Sequence, residues 1–305
     1  NVTGAWITGE DPGARKFINI GDLVIESGEV ISNVQIAYQS YGKLNATKDN
    51  AILVNHAWTG WSDVEGWWPN MVGPGKPLDT DKYFVVCPNV IGGCQGSTGP
   101  SSIASDGKRW GSRFPTVTIR DMVKAELALT DALEIPYYLL AVGPSLGGMR
   151  ALEWSILHPD RVGAICVIGS GCASTGDQIG TASIQIRAIK TDPHFCNGDY
   201  YDAAPGDGPQ AGLALARQIA PLVDNEAAVR ITVEGQAKVG TDLHHSPLQV
   251  TQIFWLNGVG LMVGECAIEF EIQRVNIQRQ CGQQAVTQDS RHRVATHAVS
   301  RVDNN

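Results

Sequence analysis

Five consecutive residues, Gly143-Pro144-Ser145-Leu146-Gly147, carry the strongest chemical signal in the chain. They follow an apolar run, Tyr138-Leu-Leu-Ala-Val142, and precede a segment over 146–157 with helical spacing that stops before Pro159. Gly-x-Ser-x-Gly between a strand and a helix is the pattern of a nucleophile elbow, a tight turn that lifts a serine hydroxyl above the carboxyl end of a sheet. Gly143 and Gly147 allow that turn to close without a Cβ clash. The helix start contributes its dipole and the free Leu146 N–H, so negative charge is stabilised beside Ser145. The implied chemistry is nucleophilic acyl transfer, with Ser145 as nucleophile and the Leu146 N–H as one oxyanion donor. The alternatives are a serine that merely caps the helix or a nucleotide-binding turn. The turn lacks the Gly-x-Gly-x-x-Gly and Gly-Lys-Ser/Thr patterns that the latter needs.

An elbow serine needs a second backbone donor, usually from the loop after an earlier strand. The run Ala51-Ile-Leu-Val54 leads into Asn55-His56-Ala57-Trp58-Thr59-Gly60, which makes the Trp58 N–H the candidate. His56 reads as a structural histidine at a strand end. As a base it would precede the serine and reverse the usual Ser…Asp…His order.

The elements that must hold these groups are short and nearly continuous apolar runs: Ala51-Ile-Leu-Val-Asn-His-Ala57, Tyr83-Phe-Val-Val-Cys87, Tyr138-Leu-Leu-Ala-Val142 and Ala164-Ile-Cys-Val-Ile168. Such runs suit strands buried on both faces. A helix is predicted over 118–133, opened by a Thr118/Asp121 capping pattern. Strands and helices in alternation make an α/β fold with a mostly parallel sheet flanked by helices. The 23–41 stretch should hold antiparallel edge strands. Past 175 the rhythm fails. Residues 175–219 are rich in Asp, Gly, Pro and Ala and end in a helical 211–219. No tyrosine follows Tyr201, and glutamine becomes frequent over 273–288. The expected division is a core over 1–175 and a second region over 176–305.

Composition narrows the function class. The 305 residues carry a formal charge of −8, with 43% hydrophobic and 18% charged residues, as in a soluble globular protein. No run approaches the ~20 apolar residues of a membrane span, and no basic run suggests nucleic acid. The first residues show no basic and apolar signal pattern, so no secretory signal is expected. Seven cysteines, an odd number without a C-x-x-C pair, read as reduced thiols of a cytoplasmic protein and not as a metal site.

Longer motifs surround the elbow: His56-Ala-Trp-Thr-Gly60, Gly66-Trp-Trp68, Gly73-Pro-Gly-Lys76, Leu78-Asp-Thr-Asp-Lys-Tyr-Phe84 and Asn89-Val-Ile-Gly-Gly-Cys-Gln-Gly-Ser-Thr-Gly-Pro100. Phe114-Pro115, Thr118-Ile-Arg-Asp-Met122, Ala151-Leu-Glu-Trp154, Asp192-Pro193, Gly198-Asp-Tyr-Tyr201 and Gly212-Leu-Ala-Leu-Ala-Arg217 continue the series. Through these motifs the chain resembles the homoserine O-acetyltransferase family over about residues 1–220. The resemblance implies an α/β-hydrolase fold with a helical lid inserted after the strand near Val167, starting within 175–219. It further implies that Ser145 takes an acetyl group from acetyl-CoA, a co-substrate and not a bound cofactor. The first oxyanion would sit between the Trp58 and Leu146 N–H groups. The acyl group then passes to L-homoserine for methionine synthesis, in a cytoplasmic homodimer joined by its lid helices, with small-molecule substrates and neither nucleic acid nor membrane as partner.

The sequence departs from the family at three places. Trp58 stands where leucine is usual. The family's Arg-Gln-Ala-Ile, whose arginine holds the substrate carboxylate, is here Ile186-Arg187-Ala188-Ile189. A one-residue shift is about 100° on a helix, so Arg187 is either that carboxylate ligand or a solvated helix charge. The family's late acid and base segments are absent, which leaves the triad acid and base unassigned. Asp242, Asp289 and Asp303 and His244, His245, His292 and His297 are the late residues available. Asp289 with His292 or His297 keeps the order, yet Arg291, Arg293 and Arg301 give that stretch the character of a solvated tail. A changed reading frame near Ala220-Pro221 and a divergent lid remain alternative accounts. A serine esterase of the same fold and a non-catalytic relative remain alternative functions. The choices between acetyl and succinyl donor and between homoserine and serine acceptor also stay open.

Overall fold

The structure is a computed structural model and describes residues 5–6, 8–204, 206–224, 248–256 and 259–268. In chain order the elements are β1 (Lys16–Asn19), β2 (Leu23–Val24), β3 (Val30–Ile31), β4 (Gln35–Tyr41), β5 (Ala51–Val54), α1 (Val64–Trp67), β6 (Val72–Gly73), β7 (Leu78–Asp79) and β8 (Phe84–Pro88). They continue with α2 (Ile119–Ala132), β9 (Tyr138–Pro144), α3 (Leu146–Leu157), β10 (Val162–Ile168), α4 (Gly176–Lys190), α5 (Gln210–Asp224), β11 (Leu248–Leu256) and β12 (Val259–Ile268).

Six strands form one sheet in the order β1-β4-β8-β5-β9-β10. The last four run parallel, and β4 joins them antiparallel to β8, with β1 antiparallel to β4. The four apolar runs are thus the four parallel strands. The antiparallel strands expected within 23–41 resolve differently. Only β4 enters the main sheet, β2 and β3 pair in a small sheet of their own, and the edge strand is β1.

Alternation along the strands divides the core into two layers. Leu53, Val86 and Ala141 face α2 and α3 and pack with Val123, Leu129, Ala151 and Trp154; Tyr138 joins them across a register shift between β5 and β9. Ile52, Val54, Val85, Leu140 and Val142 face the opposite side and pack with Val64, Met71, Val72 and Leu78. The capping pattern that predicts α2 is present: the Thr118 side chain accepts from the Asp121 N–H, and the Asp121 carboxylate accepts from the Thr118 N–H. The α3 bounds agree with the periodicity, ending at Leu157 with His158 as C-cap.

Beyond β10, α4 opens with a second capping box from Thr175 and Gln178. It packs on α5, where Asp192 Oδ2 accepts from the Gly212 N–H at 2.7 Å. A Cβ at Gly212 would meet the Ala188 carbonyl at 2.7 Å, so glycine permits this close crossing. The predicted helix over 211–219 is α5. Ile179, Ile184, Ile186, Leu213 and Leu215 are exposed on this pair. β11 and β12 form a separate antiparallel pair. No helix among the described residues is long and apolar enough to cross a membrane.

Candidate active site

Ser145 joins β9 to α3 with φ 52° and ψ −120°. This left-handed conformation is strained for a residue with a Cβ and survives only where its surroundings enforce it. The Ser145 N–H donates to the Ile168 carbonyl of β10 at 2.9 Å, and the Ser170 hydroxyl donates to the Ser145 carbonyl at 2.7 Å. The Gly148 and Met149 N–H groups donate to that carbonyl as well. Ser145 is exposed, and its hydroxyl has no hydrogen-bond partner among the described residues.

The loop after β5 lies against this turn. A Cβ at Gly147 would stand 2.0 Å from the Asn55 carbonyl oxygen and 3.0 Å from that of His56. One at Gly143 would stand 2.5 Å from the Asn55 oxygen. Both motif glycines are therefore needed where a second backbone passes the elbow, in addition to the turn itself. Trp58 is 71% exposed. Neither the Trp58 nor the Leu146 N–H donates to a protein acceptor among the described residues. The arrangement offers an open hydroxyl at a helix N-terminus beside a loop carrying a second unused N–H. Such a site can bind a carbonyl, attack it and stabilise the resulting oxyanion.

His56 is buried, and both its ring nitrogens are committed. Nδ1 donates to the Ala57 carbonyl at 2.7 Å, and Nε2 accepts from the Val90 N–H at 3.2 Å. Burial, followed by the nearby Arg150 charge, pushes its pKa down to about 3. It is a neutral structural histidine. His158 sits at the far end of α3 against Trp154, about 18 Å along the 12-residue helix from Ser145. His194 is exposed and lies 3.4 Å from Asp192. No described histidine hydrogen-bonds to Ser145. His244, His245, His292, His297, Asp242, Asp289 and Asp303 lie outside the described residues. Arg187 is exposed in the last turn of α4, and its guanidinium has no ion-pair partner among the described residues. No group of His, Cys, Asp or Glu among the described residues could hold a metal ion. Cys87, Cys94, Cys166, Cys172 and Cys196 are free thiols.

Sequence reasoning missed a buried polar cluster beneath the loop. Arg150 of α3 is fully buried and donates to Glu126 Oε1 of α2 at 2.5 Å and to the His56 carbonyl at 2.7 Å. The other Glu126 oxygen accepts from Trp154 Nε1 at 2.7 Å. The only sequence signal is a charge within an otherwise small and apolar helix face. Asn89 adds a second tie, accepting from the Ser62 N–H and donating to the Gln95 carbonyl, both at 2.7 Å. It links the loops after β5 and β8.

Comparison with known proteins follows the same lines. A family model described as alpha/beta hydrolase fold matches residues 50–239. The homoserine O-acetyltransferase of Leifsonia xyli subsp. xyli (strain CTCB07) is 50% identical over 229 residues, which are 72% of this chain and 57% of that protein. The chain thus spans little more than half the length of this relative. Among solved structures, the homoserine O-acetyltransferase from Bacillus anthracis is 28% identical with a TM-score of 0.62, covering 68% of this chain and 59% of that one. An acetylester hydrolase from Corynebacterium glutamicum is also 28% identical, with a TM-score of 0.64 and coverage of 70% and 59%.

Proposed function

The chain belongs to the α/β-hydrolase fold family, and from that premise we propose that it moves an acetyl group from acetyl-CoA to the hydroxyl of L-homoserine through an acyl-enzyme on Ser145. The observation that carries this reading is an exposed serine at φ 52° at the start of α3, beside the loop that leads to Trp58, with neither the Trp58 nor the Leu146 N–H donating to a protein acceptor among the described residues. The similarity to homoserine O-acetyltransferases at 50% identity supplies the choice of substrates.

In the first half-reaction Ser145 Oγ bonds to the thioester carbonyl carbon while the Trp58 and Leu146 N–H groups hold the oxyanion. The carbon–sulfur bond then breaks, and the serine proton ends on the CoA thiol. In the second half-reaction the homoserine hydroxyl oxygen attacks the acyl-serine. O-acetyl-L-homoserine leaves, and the proton of the attacking hydroxyl returns to Ser145. Two acyl transfers through a covalent intermediate replace one harder direct transfer. The acid and base that relay the proton are unassigned. Arg187, exposed on α4 and without an ion-pair partner among the described residues, is the candidate for the homoserine carboxylate. Residues 1–175 form the catalytic core in this reading, and 176–305 start with the lid. The same reading puts the enzyme in methionine biosynthesis, as a cytoplasmic homodimer.

A second reading, an ester hydrolase, is favoured by the similarity to the acetylester hydrolase from Corynebacterium glutamicum. It shares the first half-reaction and differs only in using water as the acceptor. Intact-protein mass spectrometry after mixing with acetyl-CoA, followed by a homoserine chase, separates the two. A Ser145-linked acetyl adduct discharged by homoserine supports the transferase. Discharge at the same rate without homoserine supports the hydrolase, and no adduct on folded protein refutes both.

A further inference from the structure

Burying a guanidinium and a carboxylate brings little net stability, because desolvation offsets most of their attraction. Apolar residues could fill the same volume, so the place where the Arg150 charge is directed matters. One end of its fork meets Glu126, and the other meets the carbonyl of His56, two residues before Trp58. A planar guanidinium can satisfy two acceptors at a fixed angle, which the single ammonium of lysine cannot reproduce.

We propose that Arg150, anchored by Glu126, is a positioning residue that fixes the Trp58 oxyanion donor relative to Ser145. The inference rests on the reading of the Trp58 N–H as an oxyanion donor. Arg150 lies on the helix that begins with Leu146, so both donors are referenced to one rigid element. Leu146 belongs to that element directly, and Trp58 is tied to it through the His56 carbonyl. Three further contacts keep the segment from pivoting about that bond. Gly147 abuts the Asn55 carbonyl, the Val90 N–H holds the His56 ring, and the Asn55 N–H donates to the Val142 carbonyl at 2.7 Å. Oxyanion stabilisation depends on donors being in place before charge develops, and a displacement of about 1 Å lowers a rate by about 100-fold.

The test compares the full chain with Arg150→Lys and with the double variant Arg150→Met/Glu126→Leu. The double change removes the loop contact without leaving a buried charge unpaired. Two readouts are taken. One is hydrogen exchange of the Asn55 and Gly60 amides, both hydrogen-bonded in the structure, against amides of β9. The other is steady-state turnover of p-nitrophenyl acetate. The expected result in both variants is exchange at Asn55 and Gly60 faster by about tenfold, with β9 unchanged, and kcat lower by about tenfold or more at unaltered KM. Equal acceleration across β9 would make the pair a stability element only and overturn the proposal, as would unchanged exchange at Asn55 and Gly60. An unchanged kcat would also overturn it, and so would failure of both variants to fold. If the parent chain does not turn over the ester, the catalytic reading of Ser145 fails separately, and the exchange measurement alone decides whether Arg150 fixes the loop.

Discussion

Gly147→Ala sets two effects of opposite sign against each other. Gly147 is the second residue of α3, where alanine is favoured over glycine by at most about 1 kcal/mol. Its new Cβ, however, would stand 2.0 Å from the Asn55 oxygen and 2.8 Å from the Asn55 carbonyl carbon. A carbon–oxygen contact relaxes near about 3.3 Å, so the loop after β5 must retreat by about 1.3 Å. Because the obstructing atoms are backbone, no rotamer change relieves the overlap. Overpacking of this kind costs about 1–3 kcal/mol, and after a helix-propensity gain of about 1 kcal/mol a net loss of up to about 2 kcal/mol remains. The retreat carries Trp58 with it, so the rate of Ser145 acylation should fall by about 100-fold, far more than the stability change suggests. Urea unfolding gives the first quantity, and the burst of p-nitrophenol on mixing with p-nitrophenyl acetate gives the second. Gly180→Ala is the internal control. Gly180 lies within α4 with nothing inside 4 Å of the new Cβ, so this variant should gain up to about 1 kcal/mol at an unchanged acylation rate. A Gly147→Ala protein as stable and as fast as the parent would refute the packing of the Asn55 carbonyl against the elbow.

Ser145→Gly should abolish the acyl adduct yet raise stability by about 1 kcal/mol, since glycine relieves the left-handed strain; an unaltered or lower melting temperature would contradict this. Glu126→Ala leaves the buried Arg150 charge unpaired and should lower the unfolding free energy by about 3–5 kcal/mol in urea titration. Stability should also decline with acid through His56. Its folded pKa is about 3 against an ordinary 6.5, so the unfolded chain takes up the proton first as the pH falls. The His56 contribution is complete above pH 6.5 and is lost between there and about 3. Urea titrations between pH 7 and pH 4 should therefore show a slope that His56→Gln flattens, and equal slopes in the two proteins would contradict the reading.

What the sequence made legible is what short stretches of chain decide. The elbow is encoded in five residues because its turn, its glycines and its helix start are all local. The Thr118/Asp121 capping box is local too, and the four parallel strands declare themselves because a strand buried on both faces must be continuously apolar. The Arg150–Glu126–His56 cluster was not legible. Its hydrogen bonds join residues 24 and 94 positions apart, and nothing in the sequence near Arg150 reveals that its partners converge there. β1 was missed for a similar reason. Four residues with mixed exposure at a sheet edge carry little periodicity, and their pairing with β4 supplies the order. The motif alone explains the glycine at Gly147 as a demand of the turn, whereas the structure adds a neighbouring backbone that only tertiary packing brings there.

The strained serine also ties reactivity to the completion of folding. Chain through Leu157 already contains the whole Gly-x-Ser-x-Gly motif and its helix, with the Gly148 and Met149 N–H groups that bind the Ser145 carbonyl, but not the two later groups that help hold Ser145 at φ 52°. Those are the Ile168 carbonyl at the end of β10 and the Ser170 hydroxyl beyond it. Until both arrive, the serine relaxes to an ordinary backbone conformation and its hydroxyl is no longer aimed. If Ser145 has the proposed role, covalent labelling of its hydroxyl should count only molecules whose β10 has docked, making it a reporter of assembly as well as a reagent.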